Sequence, residues 1–113
     1  MTKLNKLAII AGISFAGLAG QAMADPMCGL NTGEAATGAP IIVGGIHGNA
    51  APGDFSASTD AAKAYFDCVN ANGGINGRPV DYRIENDQWN PEQAAQAAAK
   101  LVDDAGAVAL VGN

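Results

Sequence analysis

The residues that could do chemistry lie mainly at the end of the first apolar run of the sequence and in the loop that follows it. Gly44, Gly45 and Gly48 would let the backbone approach a ligand closely, and Asn49 could offer amide donors and acceptors to a polar ligand. The alternative is that each glycine only turns the chain. The loop is therefore a candidate binding site for a small polar molecule.

His47, in the same loop, is the only histidine of the chain. The carboxylates show no metal-ligand spacing around it, and the sequence contains no nucleophile elbow, P-loop or paired-carboxylate motif. We expect His47 to be a solvated loop residue, and Ser56, Ser58 and Thr59 to cap a helix. The sequence thus predicts neither catalysis nor a bound metal or cofactor.

A dinucleotide site is not predicted either. Such a site requires G-x-G-x-x-G at the start of a helix and an acidic residue about 20 residues further on. Gly44, Gly45, Gly48 and Gly53 do not have that spacing. Asp87 follows a later strand and lies too far along the chain to bind the ribose.

Cys28 and Cys68 are the only two cysteines of the chain. In an exported protein a pair of cysteines is more often bridged than free, and we expect a disulfide between them. The alternative is that Cys68 is a small buried apolar residue of a helix. Redox catalysis is not expected, because there is no C-x-x-C motif.

Export is predicted from the start of the sequence. Lys3 and Lys6 precede an uncharged apolar stretch at residues 7–19, and Ala22-Met23-Ala24 is a small-residue cleavage motif. We predict a signal peptide over residues 1–24, cleaved between Ala24 and Asp25. The alternative, a membrane anchor, is disfavoured because glycines interrupt the apolar stretch, which is shorter than the ~20 residues of a membrane span.

The predicted mature protein is strongly acidic. The full chain has a net charge of −5, and loss of the two leader lysines leaves four basic and eleven acidic residues, a net charge of −7. This balance argues against nucleic acid or anionic lipid as a partner. No lipidation cysteine stands at the cleavage site, so we expect a soluble exported protein without a membrane anchor.

Three strands alternate with two helices in the predicted secondary structure. The strands are residues 41–45, residues 80–85 with alternating apolar side chains, and residues 107–111, an apolar run typical of a strand buried on both faces. The first helix begins near Ser58 or Thr59 and ends at Asn72-Gly73-Gly74. The second starts at Asn90 and Pro91, is mostly alanine, and ends at Gly106.

This β-α-β-α-β order predicts an open parallel α/β sheet over residues 40–113, preceded by an irregular lead-in at residues 25–39. Ligands of such sheets bind at the carboxyl ends of strands, here between the first and third strands. Trp89 either packs at the sheet edge or faces the ligand, and we favour packing. Because a strand of the buried type stands two residues before Asn113, we expect the chain to be the first part of a longer protein.

Three stretches carry a family likeness: residues 64–80 (AYFDCVNANGGINGRPV), residues 85–95 (ENDQWNPEQAA) and residues 108–112 (VALVG). Across residues 40–112 the chain resembles the first lobe of the branched-chain amino-acid type, leucine-binding protein-like, substrate-binding proteins of bacterial ABC transporters. The N-A-N-G-G-I-N-G run followed by D-x-W-N-P-E is far more specific than an isolated glycine motif.

The resemblance implies a monomeric, two-lobed periplasmic receptor of the type I periplasmic binding protein fold. Such a receptor closes on a small polar ligand, often an amino acid or an amide, and delivers it to a permease in the inner membrane without catalysing a reaction or using a cofactor. Family ligand contacts come from the loops after the first and third strands. The corresponding candidate ligand-binding residues here are His47, Gly48, Asn49, Ala50 and Asn113.

Two other functions remain open at this point. One is an extracellular ligand-sensing domain of the same fold, which would continue beyond Asn113 into a membrane span and a signalling region. The other is a small exported α/β enzyme, for which the sequence offers no catalytic set.

Overall fold

The structure is a computed structural model and describes residues 27–112. The predicted signal peptide, its cleavage site between Ala24 and Asp25, and the candidate ligand residue Asn113 lie outside this range. The elements in chain order are β1 (Ile41–His47), β2 (Asn49–Ala50), β3 (Gly53–Asp54), α1 (Ala57–Ala71), β4 (Val80–Asn86) and α2 (Pro91–Ala99), which continues as a π-helical turn (Lys100–Asp104).

The parallel sheet is built on β1 and β4. They pair in register from Ile41 opposite Val80 to His47 opposite Asn86, which confirms the predicted α/β fold with a parallel sheet. β1 runs two residues further than the sequence predicts, so that His47 belongs to the strand and not to the loop. The extension places His47 at the carboxyl edge of the sheet.

The third predicted strand lies along the other edge of β1. The Gly44 N–H donates to Ala109 O at 2.9 Å and the Val111 N–H donates to Gly44 O at 2.8 Å. Both the N–H and the C=O of Gly44 are therefore hydrogen-bonded to this segment. We call residues 107–112 the C-terminal segment. Only the Gly44–Leu110 pair forms a regular bridge, so the segment is not a full strand. The spatial order is β4, β1, C-terminal segment.

The expected burial of the third strand on both faces is wrong for the described structure. Val108 is 74% exposed and Val111 is also exposed. Within residues 27–112 the outer edge of the segment pairs with no strand. A side chain in an apolar run is buried only when neighbours cover it, and the apolar run itself cannot supply them.

α1 packs on the sheet through part of its predicted apolar stripe. Val69 is buried and the Phe66 ring lies 5.1 Å from the Tyr82 ring between centroids, whereas Tyr65 remains exposed. The helix ends as predicted, because Gly73 and Gly74 take positive φ angles of 92° and 65° and the Gly74 N–H donates to Val69 O at 2.8 Å.

α2 approaches β1 closely. The Asn90 side-chain oxygen accepts from the N–H groups of Glu92 and Gln93, which confirms the predicted N-cap. Leu101, only 1% exposed, packs over Gly44, where an added Cβ would lie 3.0 Å from Leu101 Cδ1. The π-helical turn that carries Leu101 has no counterpart in the sequence-based prediction.

The lead-in is fastened to the end of α1. Cys28 and Cys68 form the expected disulfide, with their Cα atoms 6.0 Å apart. Nearby, the Leu30 N–H donates to Asn72 O at 3.0 Å and the Ala36 N–H donates to Asn70 O at 2.8 Å. The irregular segment is therefore held by one covalent bond and by backbone hydrogen bonds to the last turn of the helix.

Candidate functional site

A cleft of about 640 Å³ opens at the carboxyl edge of the sheet. It lies where β1 ends, and its walls come from the β2–β3 hairpin, the start of α1 and the β4–α2 loop. Because β4 and the C-terminal segment flank β1 on opposite sides, strand order switches next to this cleft, and such switch points are where open α/β sheets bind ligands. The lining residues are Ile46, His47, Gly48, Asp54, Phe55, Ala57, Ser58, Asp87, Trp89 and Ala94.

Two aromatic rings form one wall of the cleft. Phe55 and Trp89 meet edge to face, with 4.7 Å between ring centroids and an interplanar angle of 88°. Their side chains nevertheless remain 62% and 50% exposed. Trp89 also lies directly on Gly48, where an added Cβ would be 2.7 Å from the indole. Trp89 thus packs on the turn after β1 and lines the cleft at the same time.

The β4–α2 loop holds Trp89 in place. Trp89 has a positive φ of 62°, and its N–H donates to Asp87 Oδ1 at 2.9 Å. The Asp87 N–H donates in turn to His47 O at 3.0 Å, which joins this loop to the end of β1. The Asp87 carboxylate therefore fixes the backbone of Trp89 and with it the position of the indole.

His47 is not the solvated loop residue that the sequence predicts. Its Nδ1 lies 2.7 Å from Oγ1 of Thr59, a residue with no exposed surface. The Thr59 hydroxyl also donates to Ser56 O at 2.8 Å, so Oγ1 joins the His47 ring to the start of α1.

The three hydroxyl residues predicted to cap α1 have other roles. Ser56 occupies the N-cap position without a side-chain cap, and its hydroxyl donates to Asp60 Oδ2 at 2.8 Å. Ser58 donates to Gly112 O at 2.6 Å. Thr59 bonds back to Ser56 as described. The capping interpretation fails because α1 begins at Ala57, which places Ser58 and Thr59 inside the helix, and because the Ser56 side chain accepts from no N–H of the first turn.

The end of the C-terminal segment is tied to the start of α1 and to β4. Besides the Ser58–Gly112 bond, the Tyr82 hydroxyl donates to Val111 O at 2.7 Å. Ser58 also lines the cleft. Two side-chain hydrogen bonds thus bring the end of the third predicted strand to the cleft, beside residues from β1 and α1.

Alkaline pH is expected to loosen this anchor. Burial raises the pKa of Tyr82 above its usual 10.0, and the negative charge of Asp60 adds to the effect. The neutral phenol's contribution to stability is fully present below pH 10.0 and is lost as the pH rises through the folded-state pKa. We expect the urea midpoint to fall in that window, and to fall less in Tyr82→Phe. Identical pH profiles for the two proteins would contradict the assignment.

The charge of the cleft comes from two carboxylates. The Ser56 backbone N–H donates to Asp54 Oδ1 at 2.9 Å, and this bond, followed by the Ser56 side chain, lowers the pKa of Asp54. Asp54 is therefore ionised at neutral pH, and Asp87 is the second acidic residue of the lining. Among the described residues that line the cleft there is no lysine or arginine.

The structure brings together only some of the candidate residues named from the sequence. His47 and Gly48 line the cleft, whereas Asn49 and Ala50 form β2 and lie outside the lining. The Asn49 backbone is held by the Asn86 side chain through two hydrogen bonds of 2.9 Å. The sequence-based reasoning missed Phe55 and gave Asp87 no binding role, although Asp87 directly follows a parallel strand and could have been found from that position.

A second hollow of about 510 Å³ lies between β4 and α2. Its lining is mostly polar, and Glu85 within it is paired with Lys100 at 2.6 Å. Its lining contains no residue of β1, of the β2–β3 hairpin or of the aromatic wall. The cleft at the end of β1 is therefore the stronger candidate site.

Within residues 27–112, no group of three or more histidine, cysteine or acidic side chains is arranged to hold a metal ion. Over the same part of the chain, none of the helices combines the length and the apolar character needed to cross a membrane.

A family model described as periplasmic binding protein matches residues 40–113 of the chain. That range contains every element of the sheet and every residue of the cleft lining. The comparison with curated proteins gave no match, and the comparison with solved structures gave none either.

Proposed function

The chain belongs to the periplasmic binding protein family, and from this membership we propose that it is a solute receptor of the periplasm. The proposed ligand is a small polar molecule of the amino-acid or amide type. The proposed partner is an ABC transporter permease in the inner membrane, to which the receptor delivers the ligand.

The observation that carries this proposal is the cleft at the end of β1. Its volume of about 640 Å³ falls in the range of roughly 300–1,000 Å³ typical of small-molecule sites. Apolar and aromatic side chains dominate the lining, and a few polar groups, among them Asp54, Asp87 and His47, are fixed in position by hydrogen bonds. A surface of this kind holds and orients a solute.

The polar groups of the cleft favour binding over catalysis. Thr59, whose hydroxyl is hydrogen-bonded to His47, is fully buried, and this hydroxyl donates a hydrogen bond to Ser56 O. The Ser58 hydroxyl donates a hydrogen bond to Gly112 O. Thr59 is therefore out of reach of a ligand, although its hydroxyl is hydrogen-bonded to His47, and the partner of Ser58 is a carbonyl oxygen and not a base that could activate it as a nucleophile.

The Cys28–Cys68 disulfide supports a periplasmic location. Disulfides persist in oxidising compartments and are rare in the cytosol. The predicted signal peptide over residues 1–24 agrees with this location, and the binding residues proposed on the described part of the chain are His47 and Gly48.

Trp89 provides a direct test, because it is the only tryptophan of the chain and lies in the cleft wall. We expect saturable changes in its fluorescence when the purified protein is titrated with amino acids and their amides. Calorimetry should give the same affinities, and Trp89→Phe should abolish the optical signal.

The proposal of an amino-acid or amide ligand is wrong if no member of such a panel binds by either method. The proposed receptor function is wrong if a bound compound is converted to product at a rate that Asp54→Asn or His47→Gln abolishes, since that result would indicate an enzyme.

A further inference from the structure

We infer that the ligand group received by this cleft is a small organic cation, an ammonium carried on a compact apolar body, held against Phe55 and Trp89 and beside Asp54 and Asp87. The inference rests on the proposed function and narrows its ligand class. It is argued below from the aromatic wall, the charges of the lining and the start of α1.

The aromatic wall offers ring surface that the fold does not cover. Phe55 and Trp89 contact each other edge to face, yet each keeps half or more of its side chain exposed. The face of an aromatic ring is the negative end of its quadrupole, and indole is the strongest partner for a cation among the side chains. Two rings at about a right angle can contact two sides of a compact ammonium group.

The formal charges of the lining have one sign. Asp54 and Asp87 contribute carboxylates, and no lysine or arginine stands among the described lining residues. The chain as a whole carries a net charge of −5, which attracts cations toward the cleft. An anionic ligand would meet these carboxylates with no lysine or arginine in the described lining to offset them.

The start of α1 would attract an anion, because the N-terminus of a helix carries partial positive charge. In this structure Asp54 already occupies that position. Its Oδ1 accepts the Ser56 N–H at 2.9 Å, one residue before the first residue of α1. The negative charge of Asp54 offsets the partial positive charge of the helix end, and the net charge of the cleft remains negative.

Three probes of nearly the same shape test the effect of charge on affinity. They are choline, the neutral 3,3-dimethyl-1-butanol and the anionic 3,3-dimethylbutanoate. Each carries the same branched apolar head or its trimethylammonium equivalent. Titrations of the full chain use Trp89 fluorescence, with calorimetry as the second readout. We expect choline to bind at least about tenfold more tightly than the neutral alcohol, as cation–π and carboxylate contacts allow, and the anion to bind more weakly than both.

Asp54→Asn and Asp87→Asn each remove one charge while keeping an oxygen that accepts the Ser56 or Trp89 N–H. We expect each variant to lower the ratio of choline affinity to alcohol affinity by about threefold or more. Asp104→Asn is the matched control, because it removes the same charge from the π-helical turn, outside the lining. It should leave the ratio unchanged.

The inference is overturned if the alcohol binds as tightly as choline, if the two cleft variants behave like Asp104→Asn, or if choline fails to bind while a neutral amide does. Each of these results leaves the receptor function standing. Failure of the three probes together with every amino acid and amide would instead remove the proposed function itself.

Discussion

Cys28→Ala combined with Cys68→Ala lowers the free energy of unfolding by about 4 kcal/mol, the value that chain entropy gives for a closed loop of this size. The two cysteines are 40 residues apart in sequence. Opening the crosslink lets the unfolded chain sample more conformations, and in the folded state only backbone hydrogen bonds such as those from Leu30 and Ala36 still hold the lead-in to α1. The loss should appear as a lower urea midpoint.

Reduction of the unsubstituted protein is the matched control, since it opens the same bond without changing a side chain. It should shift the urea midpoint by about as much as the double substitution does. Equal midpoints for the oxidised and reduced proteins would show that the crosslink contributes nothing to the free energy of unfolding. Stability is only 5–15 kcal/mol for a typical domain, so the expected loss is a large part of the total.

Gly48→Ala is expected to disturb the cleft most among single substitutions of its lining. The new Cβ would lie 2.7 Å from Cδ2 and Cε2 of Trp89, and the rigid indole can relieve this only by moving as a whole. The indole would leave its position against Phe55. We expect a loss of about 1–3 kcal/mol in unfolding free energy, and loss of the fluorescence response to ligands that bind the unsubstituted protein.

A double-mutant cycle isolates the cause. In a Trp89→Ala background the methyl group added by Gly48→Ala meets no ring, so it should cost much less stability there. Circular dichroism provides the unfolding signal, because the only tryptophan has been removed. Equal costs in both backgrounds would mean that Gly48 is required for its backbone and not for its contact with Trp89.

Local rules predicted most of the fold. The Asn90 cap and the glycine end of α1 depend on residues a few positions apart, and both appear as expected. β4 forms where its alternating sequence predicts a strand, but burial does not alternate along it. The Asn76-Gly77 turn takes positive φ at both residues and closes a bridge between Ile75 and Arg78. The π-helical turn after α2 escaped prediction, since the helical pattern continues through it.

The candidate site was predicted only as a location. The rule for parallel sheets indicated the end of β1, and His47 and Gly48 do line the cleft. The roles of the side chains were predicted poorly. His47 looked like a solvated loop residue because its partner Thr59 is 12 positions away, and Ser58 looked like a cap because its acceptor Gly112 is 54 positions away.

The sequence by itself determined the order of the main strands and helices, the glycine end of α1 and the N-cap of α2, and it indicated the one disulfide that two cysteines can form, because propensities and caps act over short distances. Only the tertiary structure decided that Trp89 rests on Gly48 and meets Phe55, and that Asp54 and Asp87 share one cleft. Those contacts join segments that are far apart in the chain. Their geometry follows from how β1, α1 and the β4–α2 loop pack, which no local pattern encodes.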